Sequence, residues 1–368
     1  MDGMRISRVI IIVLVVVIVA IAGLYAYTSL FAPQTSISPW DSAAGYPLQL
    51  GGTFAVAGQQ CVSNGAYVYC IGGQDANGGP RSEVYSSSAI SSSSANVTGW
   101  TSDSNQYPVT INGQSCVVYS GYVYCVGGSY DSGGDDVASS YFAPLSSGGV
   151  GGSWNSTASY PIPIDSQSCV ASSGYIYCVG GNNETDGTNA DSIASSSVWY
   201  AQLSSSGIGN WTASASYPYN LYFSSCSAAN GYIYCLGGAD SSDNAVSAAY
   251  SAPLSPAGVG TWTQTTAYPL QESGLACAIS SGYIYCVGGQ GQLNSYTNAV
   301  YYAPISSGGI GTWKQAANYP LSVETTCVIS SGDLYCIGGF DGSSVGENNA
   351  VHYISLATLS GATTSGQG

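Results

Sequence analysis

Six pairs of cysteines are the residues of this chain best placed to do chemistry, and all six share one spacing. Cys61 and Cys70, Cys116 and Cys125, Cys169 and Cys178, Cys226 and Cys235, Cys277 and Cys286, and Cys327 and Cys336 are each C-x8-C. Each pair brackets a short turn such as Ser173-Gly174. Each also closes a Tyr-x-Tyr-Cys-x-Gly-Gly run, with Asp333-Leu334 standing in the last unit where the others have Tyr followed by Ile or Val. In a two-residue hairpin Ser172 faces Tyr175, and Cys169 then lies opposite Cys178. Counting outward from the turn, the cysteines fall at a non-hydrogen-bonded pair, where the strands approach most closely and a bridge can close. Zinc sites use shorter spacings and no C-x-x-C redox motif occurs. The expected chemistry is therefore six structural disulfides, formed where thiols oxidise.

Other reactive constellations are sparse. His352 is the only histidine, and a lone histidine supports neither a triad nor a copper site. It stands in the last unit where other units carry Tyr or a similar residue, which gives it a structural reading. After the N-terminal apolar stretch only Arg81 and Lys314 are basic, against eighteen acids. That removes the basic patch needed for nucleic acid. The run Asn182–Asp191 alternates oxygen side chains around a glycine, so Glu184, Asp186 and Asp191 are candidate Ca2+ ligands. Ile193 stands where a calcium loop would carry its bidentate Glu, and a solvated loop is the plainer reading. Asn96, Asn155, Asn183 and Asn210 open N-x-[ST] sequons, which are candidate glycosylation sites outside the cytoplasm. No residue is assigned a catalytic role. Paired carboxylates for glycoside hydrolysis stay open, because their separation is not set by the sequence.

The elements that position these residues repeat every 50 to 57 positions. Each unit reads as four strands. The first carries the leading cysteine and the second ends at Gly-Gly. The third holds an aromatic before Ala-Pro-Leu or a relative (Tyr141 to Leu145, Tyr250 to Leu254, Tyr302 to Ile305). The fourth begins at a Trp and ends at Tyr-Pro. The second strand is continuously apolar, so both of its faces should be buried, as in a blade packed between two others. Trp40, Trp100, Trp154, Trp211, Trp262 and Trp313 each precede a Tyr-Pro. The first comes before any cysteine pair, while the last unit has no Trp. A spare fourth strand at 40–48 thus meets a unit that lacks one. Pairing them closes a ring and removes the open edges. The expected fold is all-β, a six-bladed β-propeller over residues 40–356.

On these features the chain resembles the kelch-repeat propellers: the Gly-Gly after an apolar second strand, the third-strand aromatic and the fourth-strand Trp. The resemblance covers roughly residues 40–356. The hairpin disulfides and the long gap from Tyr250 to Trp262 depart from the kelch pattern. The resemblance implies the fold but no activity.

Residues 9–31 are apolar throughout, long enough to span a bilayer as a helix, with Arg5 and Arg8 before them and no base after them until Arg81. The organisation expected is a cytoplasmic 1–8, a transmembrane anchor 9–31, a linker 32–39, the propeller, and a flexible tail 357–368. In a four-stranded meander, the 2–3 and 4–1 connections share one end of each blade. That end should hold Asp75, Asp131, Asp135, Asp136, Glu184, Asp186, Asp191, Asp240, Asp243, Asp341 and Glu347 in 2–3 loops. Asp165, Glu272 and Glu324 join them from 4–1 segments. Variable loops on a rigid scaffold are where recognition usually sits. The expectation is a cell-surface recognition or adhesion module that binds a carbohydrate or protein on this face. An exported polysaccharide hydrolase or lyase and a passive surface coat are the rivals. Two or more carboxylates converging on the central channel beside a cleft would favour the enzyme.

Overall fold

A computed structural model describes residues 39–47, 49–50, 53–54, 57–75, 77–88, 99–130, 135–183, 193–342 and 347–359. The chain divides into two compact units, 1–38 and 39–368, and the first lies outside the described residues. The expected span 9–31 therefore lies outside them too. Among the described residues no helix is long and apolar enough to cross a membrane.

The described residues between 39 and 359 form six antiparallel blades, the first and last of four strands and the other four of five, the fifth being a short strand before the Trp. In the third blade, Ser168–Ser172 pairs with Tyr175–Val179, which pairs with Val198–Ser204, which pairs with Thr212–Ala213. Its hairpin turns through Ser173 and Gly174 with φ of 49° and 86°. Both values are left-handed, as a turn matched to the twist of the strands requires. Four other hairpins use a Ser-Gly or Asn-Gly pair in the same way.

The expected cysteine register is found in every blade. Cys61 faces Cys70, Cys116 faces Cys125, Cys169 faces Cys178, Cys226 faces Cys235, Cys277 faces Cys286 and Cys327 faces Cys336. All six pairs are disulfide-bonded within their own hairpins, with Cα–Cα separations of 4.0–4.1 Å. The second-strand partners Cys70, Cys125, Cys178, Cys235, Cys286 and Cys336 have no solvent exposure. Their apolar neighbours on both sides of the strand are buried against adjacent blades.

The ring closes between the ends of the described chain. Asp41–Ser42 pairs with Glu347–Ser355, the third strand of the last blade, in the register Asp41↔Tyr353 and Ser42↔His352. Ala43 and Tyr46 extend this seam by donating to the carbonyls of Val351 and Asn349. Beyond that strand the chain makes one helical turn, Leu356–Leu359, and both leucines are buried.

The fourth strand is shorter than the Trp to Tyr-Pro pattern predicts. Only the two residues after each Trp pair with the third strand, as in Asn155–Ser156 and Thr263–Gln264. The Ser/Gly turn before the Trp forms a small ladder of its own, Leu145↔Val150 and Ser146↔Gly149. The rest of the Trp to Tyr-Pro segment works between blades. Trp154 Nε1 donates to the Asn105 carbonyl of the preceding blade, and its ring meets Tyr107 of that blade edge-on at 4.9 Å. The same pair of contacts recurs at every boundary, including the seam, where Trp40 bonds Ala317 and packs on Tyr319. The second-strand tyrosines reach the other way. Tyr69, Tyr124, Tyr177 and Tyr234 donate to the carbonyls of Ser146, Ser204, Ser255 and Ser306 in the next blade.

Candidate functional site

The first strand of each blade is innermost, so six copies of one segment surround the central channel. The residue three before each leading cysteine takes a left-handed conformation in five blades: Gly58, Gly113, Ser166, Phe223 and Gly274, with φ between 52° and 64°. Glycine suits this conformation and Phe does not. From Gly113 onward the N–H bonds the carbonyl of its counterpart in the preceding blade: Gly113 to Gly58, Ser166 to Gly113, Phe223 to Ser166 and Gly274 to Phe223. A backbone collar thus runs across five of the six blades at the channel mouth. In the sixth blade no residue of the segment before Cys327 takes this conformation, and Glu324 pairs with Phe340, the place that Asn112, Asp165, Tyr222 and Ser273 take opposite Ser129, Asn182, Ala239 and Gln290.

A cavity of about 270 Å³ opens at the collar. Its wall is polar and largely uncharged. Ser115, Ser168 and Ser225 stand directly before their cysteines, and each hydroxyl oxygen accepts the N–H of the cysteine in the next blade at 2.9–3.1 Å. The oxygens are therefore fixed and their protons remain free to donate. Gln59, Gln114 and Gln167 are buried, each giving its amide to a carbonyl of the preceding blade at 2.7–2.8 Å. The Oε1 atoms of Gln114 and Gln167 are buried without a partner. Phe223 and Phe340 add rings to the wall, and Phe223 is 43% exposed.

The cavity opens on the face of the 2–3 and 4–1 connections. Isolated bridges tie the two groups together there: Asp165 with Asn182, Tyr222 with Ala239 and Ser273 with Gln290. Exposed large apolar residues gather on the same connections, namely Tyr130, Ile193, Tyr219, Phe223 and Leu293.

The fourteen acids assigned to this face divide by environment. Asp131, Glu184, Asp186 and Asp191 lie outside the described residues, and with them all the acids of the candidate Ca2+ loop. For Glu347 only the backbone is described, in the last third strand. Asp75 is buried, accepts the N–H groups of Asn77 and Gly79, and pairs with Arg81 at 3.5 Å. Asp240 caps its turn through Ser242 and Asn244, and those backbone bonds hold its carboxyl below the usual range. Asp135 and Asp243 accept hydroxyl bonds from Tyr130 and Tyr222. Asp136 is buried in a bridge with Ser129, and Asp341 lies near Tyr296. Asp165 accepts from Ser166 at the collar. Most of these acids shape loops.

Glu272 and Glu324 are different. Burial pushes both carboxyls up to about 7, and the charge of Glu324 adds to the rise at Glu272. Glu324 lines the cavity directly. Glu272 is buried and is not among the residues that line it.

Sequence reasoning missed the collar, the three aligned serines and the standing of Phe223. The signal that could have found them is the fixed offset of each from a cysteine. His352 lies where the other blades carry Tyr85, Tyr141, Trp199, Tyr250 and Tyr301, each opposite the second-strand cysteine. This also places the one Trp outside the repeat pattern. His352 packs edge-on against Tyr319, and burial lowers its pKa. Of the sequons, Asn155 and Asn210 are exposed, Asn183 is half-buried and Asn96 lies outside the described residues.

The chain matches no protein-family model and no curated protein.

Proposed function

We propose that this protein is an extracytoplasmic recognition module that binds carbohydrate at the mouth of its central channel. The observation that carries this reading is the row of three serine hydroxyls, Ser115, Ser168 and Ser225, held in place by backbone N–H groups and left with protons to give. Sugars present hydroxyls that both donate and accept, and a wall already locked in position loses little entropy on meeting them. Phe223 at the rim supplies an apolar face for a sugar ring. The cavity volume of about 270 Å³ is small for a ligand site, so it suits one sugar-sized group inserted end-on. A disulfide in every blade fits an oxidising exterior. The apolar stretch 9–31, with Arg5 and Arg8 before it, supports a single-pass anchor with a cytoplasmic N-terminus. The repeat pattern supports a kelch-like lineage, and the exposed sequons support glycan attachment at Asn155 and Asn210.

A polysaccharide hydrolase is the second reading, favoured by Glu272 and Glu324 near the channel. It fits the geometry less well. Glycoside hydrolysis needs two carboxyls flanking the scissile bond, whereas Glu324 lines the cavity and Glu272 is buried beside it. A glycan array probed with the purified full chain tests both readings. Recognition predicts retention of a defined glycan class with no new reducing ends released. Release of reducing ends that is lost in Glu324→Gln would establish the enzyme, and no retention of any glycan would remove the carbohydrate reading.

A further inference from the structure

The wall of the channel mouth holds a single charged group. The cysteines that line the cavity are disulfide-bonded, and Glu324 is the one acid or base among the lining residues. The lack of bases extends well beyond the wall. After Arg8 the whole chain carries only Arg81 and Lys314. Arg81 is bound to Asp75 and Glu83, and Lys314 is exposed in the short fourth strand Lys314–Gln315. His352 lies at the seam, opposite Ser42. No other segment after residue 8 can bring a base to the mouth.

Glu324 is set there by a shortening of the repeat. Tyr107, Tyr160, Tyr217 and Tyr268 each stand nine residues before Cys116, Cys169, Cys226 and Cys277, but Tyr319 stands eight before Cys327. The residue lost is the collar residue. Val323 keeps the buried place of Ile111, Ile164 and Leu221, its carbonyl accepting from Gly289 as theirs do from Gly73, Gly128 and Gly181. The collar therefore ends at Gly274. The Glu324 carboxyl lies against that glycine, where an added Cβ would meet it. Burial is what raises its pKa, with no hydrogen bond contributing.

We infer that the channel mouth selects uncharged glycans, with the Glu324 carboxylate accepting from their hydroxyls, and that it excludes acidic sugars. The inference rests on the carbohydrate reading and names the ligand class of that same site. Ser115, Ser168 and Ser225 offer donors, Glu324 offers acceptors, and a sugar hydroxyl answers either. An ammonium group would satisfy Glu324 but could not accept from the serines. A uronate, sialate, sulfate or phosphate brings a negative charge that must shed water against a wall with no cation. It also approaches Glu324 on a chain of net charge −15, so like charge opposes both encounter and docking.

The test uses pairs of oligosaccharides that differ only in the oxidation of the terminal sugar: glucose against glucuronic acid, and galactose against galacturonic acid. Calorimetry with the full chain is run at about pH 8, where the Glu324 carboxyl, raised to about 7, is ionised. The neutral member should bind at least about tenfold tighter than its acidic partner, with the gap narrowing as salt is added. In Glu324→Gln the neutral member should weaken and the gap should shrink. A melting curve shows whether that variant is folded, and Glu324→Ser replaces it if it is not. Equal binding of the two members, a preference for the acid, or an unchanged ratio in the folded variant overturns the class assigned here and leaves glycan recognition standing. Binding of neither member of either pair also overturns it, and retention of no glycan on the array removes the carbohydrate reading as well.

Discussion

Glu272 and Glu324 make the stability of this protein depend on pH with a definite sign. Both carboxyls are raised to about 7 in the folded chain, chiefly by burial. In the unfolded chain a glutamate titrates near about 4.3. Between these values the native state holds more protons than the unfolded state, so stability falls as pH rises through that window. The facing groups do not reverse this. Tyr268 and Tyr296 are raised and neutral there, and Asp341 adds negative charge near Tyr296. Denaturant unfolding without divalent ions, measured across about pH 4 to pH 8, should show greatest stability at the acid end. Glu272→Gln should flatten the slope. A native profile that rises toward pH 8 would contradict the assigned environment. In the sequence Glu272 was one of fourteen acids on the same face. What distinguishes it, an acid where Ile111, Ile164 and Leu221 stand, is visible only once the units are aligned on their cysteines.

At the scale of elements, the hairpins were the most legible part of the chain. The C-x8-C spacing and a two-residue turn leave one register, and Cys169↔Cys178 is found in it. Removing one bridge by Cys169→Ala with Cys178→Ala should cost at most about 2–3 kcal/mol, because the closed loop is short and the hairpin already local. Chemical denaturation measures this, and a loss well above that range would show that the bridges hold more than their own hairpins. The fourth strand was less legible. Its Trp and Tyr read as one strand, but their contacts are made across blade boundaries, which no local pattern encodes. Trp154→Phe keeps an aromatic ring but removes the indole N–H bonded to Asn105 and part of the ring's packing area. It should destabilise by about 1 kcal/mol, and no measurable change would mean that the bond contributes little.

At the scale of the molecule, closure was legible in the matching surplus and deficit of fourth strands along the chain. The pairing of Asp41–Ser42 with the last third strand is its physical form. A chain beginning after Leu50 would expose the edge of Glu347–Ser355 and should aggregate on mild heating. Light scattering against the full chain reads this out, and a truncated form equally monomeric and heat-stable would count against the seam. The collar was far less legible. Its positions share an offset but no residue type, being Gly, Ser and Phe, and a left-handed residue shows itself only in the backbone. Yet the collar carries the most direct test of function. Phe223 is held at φ 52°, a conformation that is unfavourable for a bulky side chain, with its ring at the cavity mouth. Binding affinity and melting temperature of Phe223→Gly, measured with the glycan retained best on the array, set recognition against stability. The account predicts a melting temperature equal to or above the native value and a loss of affinity of about tenfold or more. Unchanged affinity in a folded Phe223→Gly chain would contradict recognition at the channel mouth.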